Sequence, residues 1–369
     1  MIANLLRAAS WLASALVVAG FALLCIRGVE SPRAADATER GLMDLTTQLV
    51  HHAPLYAEPS TAGPPALLPG FPLVAAVLVD ALGPRFWGLR AIALLSTLLL
   101  AVLAMIIVHE ETDNRTLGAA SGCLILAGYG LMVGNPAVAR PEPLMLVLAL
   151  AGCLALRVMP GATGGLVASL LLSAACFTHP QAVWFAVAAF VYLTVENRGR
   201  LVPYALGLGL FLGGGYLLLS RALGPWFNYH AWDLPIRSLR FDGPGLMRFV
   251  GGWLLGTLGV LTVTTVLSFA LPMRTWRGPG GLWPCVGVAS IAAALLATQS
   301  ATPEPQTLAI CVVALALVGP ISMHRVSQHL SSWPDSTRMG GEGMLLLVLV
   351  LQFVALFSAV PPALLFPRA

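Results

Sequence analysis

Lysine is absent from this chain of 369 residues, and all twenty basic residues are arginine. Charge of either sign is scarce, at 10% of residues. A soluble domain needs roughly a quarter of its residues charged to coat its surface, so a soluble globular chain is excluded. The net charge of +4 is too small to suggest a nucleic-acid partner. No two of the six cysteines form a C-x-x-C pair. Cys25, Cys123, Cys153, Cys176, Cys285 and Cys311 each lie in or beside an apolar run, and they read as small packing residues, not as disulfides or a metal site. No internal repeat is evident, and no ionisable residue sits at the middle of an apolar run. Both absences argue against a transporter.

What is present is hydrophobic length. Apolar residues make up 58% of the chain and the mean hydropathy is +0.85. A bilayer-spanning helix needs about 20 mostly apolar residues. The pattern predicts an all-α polytopic membrane protein with about eleven spans. They fall near 5–26, 88–108, 117–134, 143–158, 164–178, 181–196, 201–220, 247–271, 281–298, 307–322 and 343–360. The first run follows Arg7, is long for a signal peptide and lacks a small-x-small cleavage site, so it reads as a retained span. Two long polar segments, 27–87 and 221–246, interrupt the series, and the Ser/Arg-rich stretch 323–342 reads as a plain loop.

Arginine placement sets the expected sidedness. With the N-terminus inside, Arg7, Arg115, Arg157, Arg198, Arg200, Arg274, Arg277, Arg325 and Arg338 lie on the inner side. Most of the others lie in or beside the two long segments, which weigh little in this rule, and the short outer connections hold only Arg140. The long segments, and the C-terminal Arg368, are therefore expected outside.

Within 27–87, residues 36–50 predict an amphipathic helix. Leu42, Leu45 and Leu49 share one face, while Asp36, Arg40 and Asp44 lie on another. A turn at His51-His52-Ala53-Pro54 and a proline-rich run from Pro64 to Gly70 follow. A second apolar helix from about Phe71 to Leu82 ends at Gly83-Pro84. It is too short to span, so it is expected in the interface.

These motifs, in this order, resemble the GT-C superfamily of membrane glycosyltransferases, in its branch of protein mannosyltransferases and aminoarabinose transferases. Glu39-Arg40-Gly41 stands for the family's acidic motif, with Glu39 where Asp is usual. Pro54-Leu55-Tyr56 stands for the Leu-Tyr element and Pro64-Pro65 for the proline stretch. Leu82-Gly83 matches the interfacial helix end, Gly88-Leu89-Arg90 the start of the second span, and Ala139-Arg140-Pro141-Glu142 the family's Ala-Arg-Pro-Asp. Thr178-His179-Pro180-Gln181 falls where relatives carry Thr-Lys. The resemblance covers residues 1–200, and beyond that only the alternation of spans and loops matches. It implies a GT-C-like N-terminal module over 1–200 and C-terminal helices over 201–369, with no soluble domain. It also implies a multi-pass protein of the bacterial inner (plasma) membrane with a cytoplasmic N-terminus.

The implied activity moves a sugar from a polyprenyl-phosphate donor to an acceptor on the outer face, with inversion. Such chemistry needs a carboxylate to take the acceptor proton and arginines to hold the phosphate as charge builds on it. Glu39 is expected as base and Asp36 as the runner-up, one helical turn apart. The plain alternative is that both merely favour a helix N-terminus. Arg140, Glu142 and His179 are candidate donor or acceptor contacts; a boundary pair and an interfacial histidine are the plain readings. In Trp226-Phe227-Asn228-Tyr229-His230-Ala231-Trp232-Asp233 the aromatics form either an interfacial belt or a platform for a sugar. There Tyr229 and His230 are candidates, with Arg237 and Arg240 on the phosphate. Glu304 reads as a polar turn. Adjacent histidines rarely share an ion, so His51-His52 is not assigned a metal. No cofactor is assigned, and a divalent metal is left open. The bilayer is the second expected partner. The substituted acidic motif and the short chain keep a second class open: a catalytically degenerate scaffold or subunit of a larger membrane complex.

Overall fold

The structure is a computed structural model, and it describes residues 2–29, 34–56, 58, 67–133, 138–196, 198–237, 239, 242–269, 279–298, 309–331 and 347–355. Among them the chain is helical throughout. Helix α1 is Ile2–Val29, α2 Ala37–Val50, α3 Gly70–Leu82, α4 Phe86–Thr112, α5 Arg115–Val133, α6 Glu142–Val158 and α7 Gly161–Thr178. A 3-10 turn, Pro180–Ala182, leads into α8, Val183–Glu196. Helices α9 (Arg198–Leu208) and α10 (Gly215–Ala222) join through a π-helical stretch into one apolar rod. Short helices α11 (Trp226–Asn228), α12 (Leu234–Arg237) and α13 (Gly243–Met247) follow. Then come α14 (Gly259–Phe269), α15 (Leu282–Ala297), α16 (Ala309–Ser331) and α17 over 347–355.

Five of the described helices are long and apolar enough to cross a membrane, or six if the bent pair Gly243–Thr257 and Gly259–Val266 counts as one span. This is a multi-pass membrane protein. The helix positions follow the apolar runs closely, while the number that cross is set by lengths. Helices α8 and α15 are apolar but fall in the 10–17-residue range, short of the about 20 residues that a bilayer core requires. Pro64-Pro65, Arg240, Glu304, the C-terminal Arg368 and most of the loop 323–342 lie outside the described residues.

Two apolar clusters organise the molecule. The larger runs through the bundle and joins α1, α4–α9 and α14–α17. Inside a bilayer lipid tails are as apolar as leucine, so close backbone approach replaces the hydrophobic drive. Gly118 and Gly122 on α5 show this: a Cβ on Gly118 would stand 2.8 Å from the Met105 carbonyl oxygen, and one on Gly122 would press on the Met105 side chain.

The smaller cluster sits at one end of the bundle. Leu42, Leu45 and Phe71 from the first long segment pack there with Leu89 of α4, Ala139 before α6, and Phe227 and Ala231 of the second long segment. The two polar segments are thus folded onto each other. Tyr56 is the joint. Its ring lies 5.5 Å from Phe227 and 5.4 Å from His230, and its hydroxyl donates to the Leu67 carbonyl at 2.9 Å. The start of α3 meets the end of α7 backbone to backbone, because a Cβ on Gly70 would stand 2.6 Å from the Phe177 carbonyl oxygen. Helix α3 stops where Gly83 adopts φ +82.

Candidate active site

The site is built on the N-terminus of α2. Asp36 is its N-cap, and the side-chain Oδ1 accepts the Glu39 N–H at 2.9 Å. This satisfies one of the amide groups that a helix start leaves unpaired. Glu39 sits at the third helical position and turns back, its Oε2 accepting the Ala35 N–H at 2.7 Å. The two carboxylates together close the helix start, in a variant of the capping box that reaches the amide just before the N-cap. That confirms a local structural role for both, and it separates their surroundings.

Glu39 points into the protein. Its side chain is wholly buried and meets Arg90 of α4 as a fork: Nε to Oε1 at 2.8 Å and Nη2 to Oε2 at 2.9 Å. Oε1 also accepts the Ala139 N–H at 2.9 Å. Burial pushes the Glu39 pKa up, but Arg90 and the two backbone N–H groups outweigh it and hold the carboxyl below its ordinary range. Arg90 is itself buried and lies 5.6 Å over the Phe86 ring. The pair is desolvated yet well coordinated, the condition under which a buried ion pair is tolerated.

Asp36 points the other way. It forms an ion pair with Arg140, and its side chain keeps 36% exposure while Arg140 is nearly covered. Residues 139 and 140 thus grip the two carboxylates of α2 in succession, one by a backbone amide and one by a guanidinium. Two residues on, Glu142 is buried in the first turn of α6.

The other candidates are placed as follows. His179 ends α7 at the same end of the bundle. Its Nδ1 accepts the Gln181 N–H at a long 3.4 Å, so the proton rides on Nε2. The surrounding protein lowers its pKa to about 4, which makes it a neutral ring. His230 is buried against Tyr56 and stands edge-on to Tyr229 at 5.4 Å. Tyr229 is half-buried, and the exposed Arg237 lies 5.8 Å over its ring. Asp36 therefore meets Arg140 and the Glu39 backbone directly, while the Glu39 carboxylate meets Arg90 and the Ala139 N–H. Tyr229 and Arg237 form a second group, tied to the first segment through His230 and Tyr56.

Arg90 is a site residue that the motif pattern does not single out, although an arginine in the first turns of an apolar span is costly unless paired. Tyr56 belongs to the Pro54-Leu55-Tyr56 motif, but nothing in the sequence shows that it receives the second segment.

At the opposite ends of α4 and α6 lies another ion pair, with Arg157 Nε 2.7 Å from Glu111 Oε1. Arg325 closes on the same place, because a side chain at Gly280 would overlap it and would lie 3.3 Å from Glu111 Oε2. Arg200 Nη1 donates to the Leu156 carbonyl at 2.7 Å. Arg90 and Glu111 are 21 residues apart on α4, about 32 Å along the helix. That matches the hydrocarbon thickness of a bilayer, about 30 Å. The two charged clusters bracket a membrane-thick apolar zone, and three arginines assigned to one side by sequence do share one end.

With this geometry in hand, two comparisons with solved structures apply. ArnT from Cupriavidus metallidurans bound to undecaprenyl phosphate superposes with a TM-score of 0.65 at 13% identity, over 95% of this chain and 76% of that one. The apo state of the same protein gives 0.62 at 13%, over 97% and 77%. No family model matches the sequence, and no curated protein sequence matches it. The chain shares the transmembrane helical fold of these two structures.

Proposed function

We propose that the protein is a glycosyltransferase that takes a sugar from a polyprenyl-phosphate donor, with Asp36 as the general base. The observation that carries this reading is the division of labour on α2: one carboxylate buried and saturated, the other anchored by Arg140 and partly open, on a fold shared with a protein that binds undecaprenyl phosphate. The preference between Asp36 and Glu39 is reversed relative to the motif reading. Glu39 already accepts two guanidinium and two backbone hydrogen bonds, so taking a proton would dismantle its own mount. Asp36 has free acceptor positions facing outward.

In this reading the acceptor nucleophile loses its proton to Asp36 as it bonds to the anomeric carbon. The bond from that carbon to the phosphate oxygen breaks from the opposite face, which inverts the centre. The polyprenyl phosphate leaves with the extra negative charge. Arg237 and Arg240 are assigned to that phosphate, Tyr229 to the sugar face, and Glu142, His179 and His230 to the cavity wall. A neutral His179 offers an Nε2 donor without adding charge. Residues 1–200 carry the base and 201–369 the aromatic segment. We place this end of the bundle on the outer face of a bacterial inner membrane, with the N-terminus in the cytoplasm.

The test is transfer from a polyprenyl-phosphate sugar in nanodiscs. Asp36→Asn keeps the helix cap, since Asn caps as well as Asp, and is expected to lose transfer while retaining polyprenyl-phosphate binding. One observation favours the scaffold alternative: both carboxylates are engaged in ion pairs. A folded native protein that neither binds nor turns over any such donor, and that is recovered with a stoichiometric membrane partner, would select it.

A further inference from the structure

The span that follows the second long segment is broken, and the break is filled by one side chain. The axes of Gly243–Thr257 and Gly259–Val266 differ by 90°. In an unbroken α-helix the Thr257 carbonyl would accept the Leu261 N–H. Here Gln352 of α17 takes both groups: its Nε2 donates to the Thr257 carbonyl at 2.8 Å, and its Oε1 accepts the Leu261 N–H at 3.2 Å. The ladder resumes at the next pair, Thr262 N–H to the Leu258 carbonyl at 2.9 Å. Gln352 is fully buried, with Leu349 and Phe353 buried beside it. An amide in such a place is unfavourable unless both of its ends are bonded, and freed backbone groups inside a membrane need partners from neighbouring helices.

Both arms pack on the main cluster by their inner faces. Leu258 and Leu261 are buried on the second, with Leu261 over Gly319 of α16, and Phe249 and Leu254 are buried on the first. The first arm is the less tightly filled: Met247 and Leu255 are exposed, and Gly251 and Gly252 face open space.

We propose that residues 257–261 are a hinge latched by Gln352. With the amide inserted the span is bent. With Gln352 withdrawn, the Thr257 carbonyl and the Leu261 N–H bond each other directly and the span straightens. The latched state has two hydrogen bonds where the straight state has one, so the bent form is the resting state. The first arm begins at Gly243, six residues beyond Arg237 and fourteen beyond Tyr229, so moving it moves the end of the aromatic segment. The hinge stands independently of the glycosyltransferase reading, because its test reads a distance and not a turnover.

Spin labels borne on non-cysteine side chains at Met247 and Val266, both exposed, report the angle by electron–electron distance measurement in nanodiscs. At 1.5 Å per residue the bent form gives a separation of about 20 Å and the straight form about 29 Å. The native protein is expected near the shorter value, and Gln352→Leu to shift a population longer by about 8 Å. Gln352→Met, closer in shape, is the second variant and is expected to do the same. A native protein found only at the longer distance overturns the proposal. So does an unchanged distance in either folded variant. Failure of both variants to fold would also contradict it, since a latch releases the arm and leaves the bundle intact.

Discussion

The two ends of α4 and α6 carry the same kind of pair, a glutamate against an arginine, with opposite exposure. At the α2 end Glu39 and Arg90 are both sealed, and the open carboxylate is the neighbouring Asp36. At the far end Glu111 is covered and Arg157 is the partly open partner. A sealed pair with every acceptor used is a fixture. On the proposed reading, the open carboxylate beside that fixture is the reagent, held in position by Arg140. An open arginine over a covered glutamate presents a cation to the membrane surface, where anionic headgroups lie, and needs no reaction to explain it. The contrast teaches that residue type alone does not set a charge's role: burial separates the saturated carboxylate from the one that stays open to solvent.

The largest expected effect falls on the open carboxylate. Asp36→Asn is expected to slow sugar transfer by about 10²–10⁴-fold, the usual worth of a general base, measured by single-turnover transfer in nanodiscs. Next comes the fixture. Glu39→Gln leaves the Arg90 guanidinium buried without its counter-charge, and breaking such a pair costs about 3–5 kcal/mol, read by chemical or thermal denaturation. Replacing both partners by apolar residues, Glu39→Leu with Arg90→Met, is expected to recover most of that loss. Recovery of stability without activity would sharpen the comparison, because α2 would be mounted with its Asp36 angle altered. Full recovery of activity as well would break it.

A pH scan tests the same pair. The folded-state pKa of Glu39 is depressed below its unfolded value. Its contribution to stability is therefore fully present above the unfolded carboxyl pKa, about 4.3, and is lost as pH falls through the folded value. Thermal stability is expected to drop below that point, and the drop is expected to vanish in the apolar double variant. His179, with its pKa lowered to about 4, is neutral across pH 6–8 and contributes no inflection to the rate there. The smallest effect belongs to the far end. Glu111→Gln is expected to reduce stability by about 1 kcal/mol, because the half-exposed Arg157 can turn to water, with transfer unchanged.

Much of the fold was legible because the apolar runs are long and the helical period is clear. Helices α2 and α3 fall where Leu42, Leu45 and Leu49, and the run from Phe71 to Leu82, placed them. Asp36 and Glu39 were also legible as a pair. What the sequence does not carry is direction. Residues one turn apart on a helix share a face in pattern, but Asp36 is a cap with non-helical backbone, φ −156, so its side chain leaves at a different angle from that of Glu39. The partners lay far along the chain, at Arg90, Ala139 and Arg140, and no local spacing reports contacts across 51 or 100 residues. The docking of the second polar segment on Tyr56 and the bridging amide of Gln352 were hidden for the same reason.

The central claim is that Asp36 is the reacting carboxylate and Glu39 its mount. The direct measurement is the single-turnover rate of Asp36→Asn in nanodiscs with a polyprenyl-phosphate sugar, taken on protein shown to be folded and to bind polyprenyl phosphate. The expected result is a rate at least about 100-fold below the native one. A folded, donor-binding Asp36→Asn protein that transfers sugar at the native rate would contradict it.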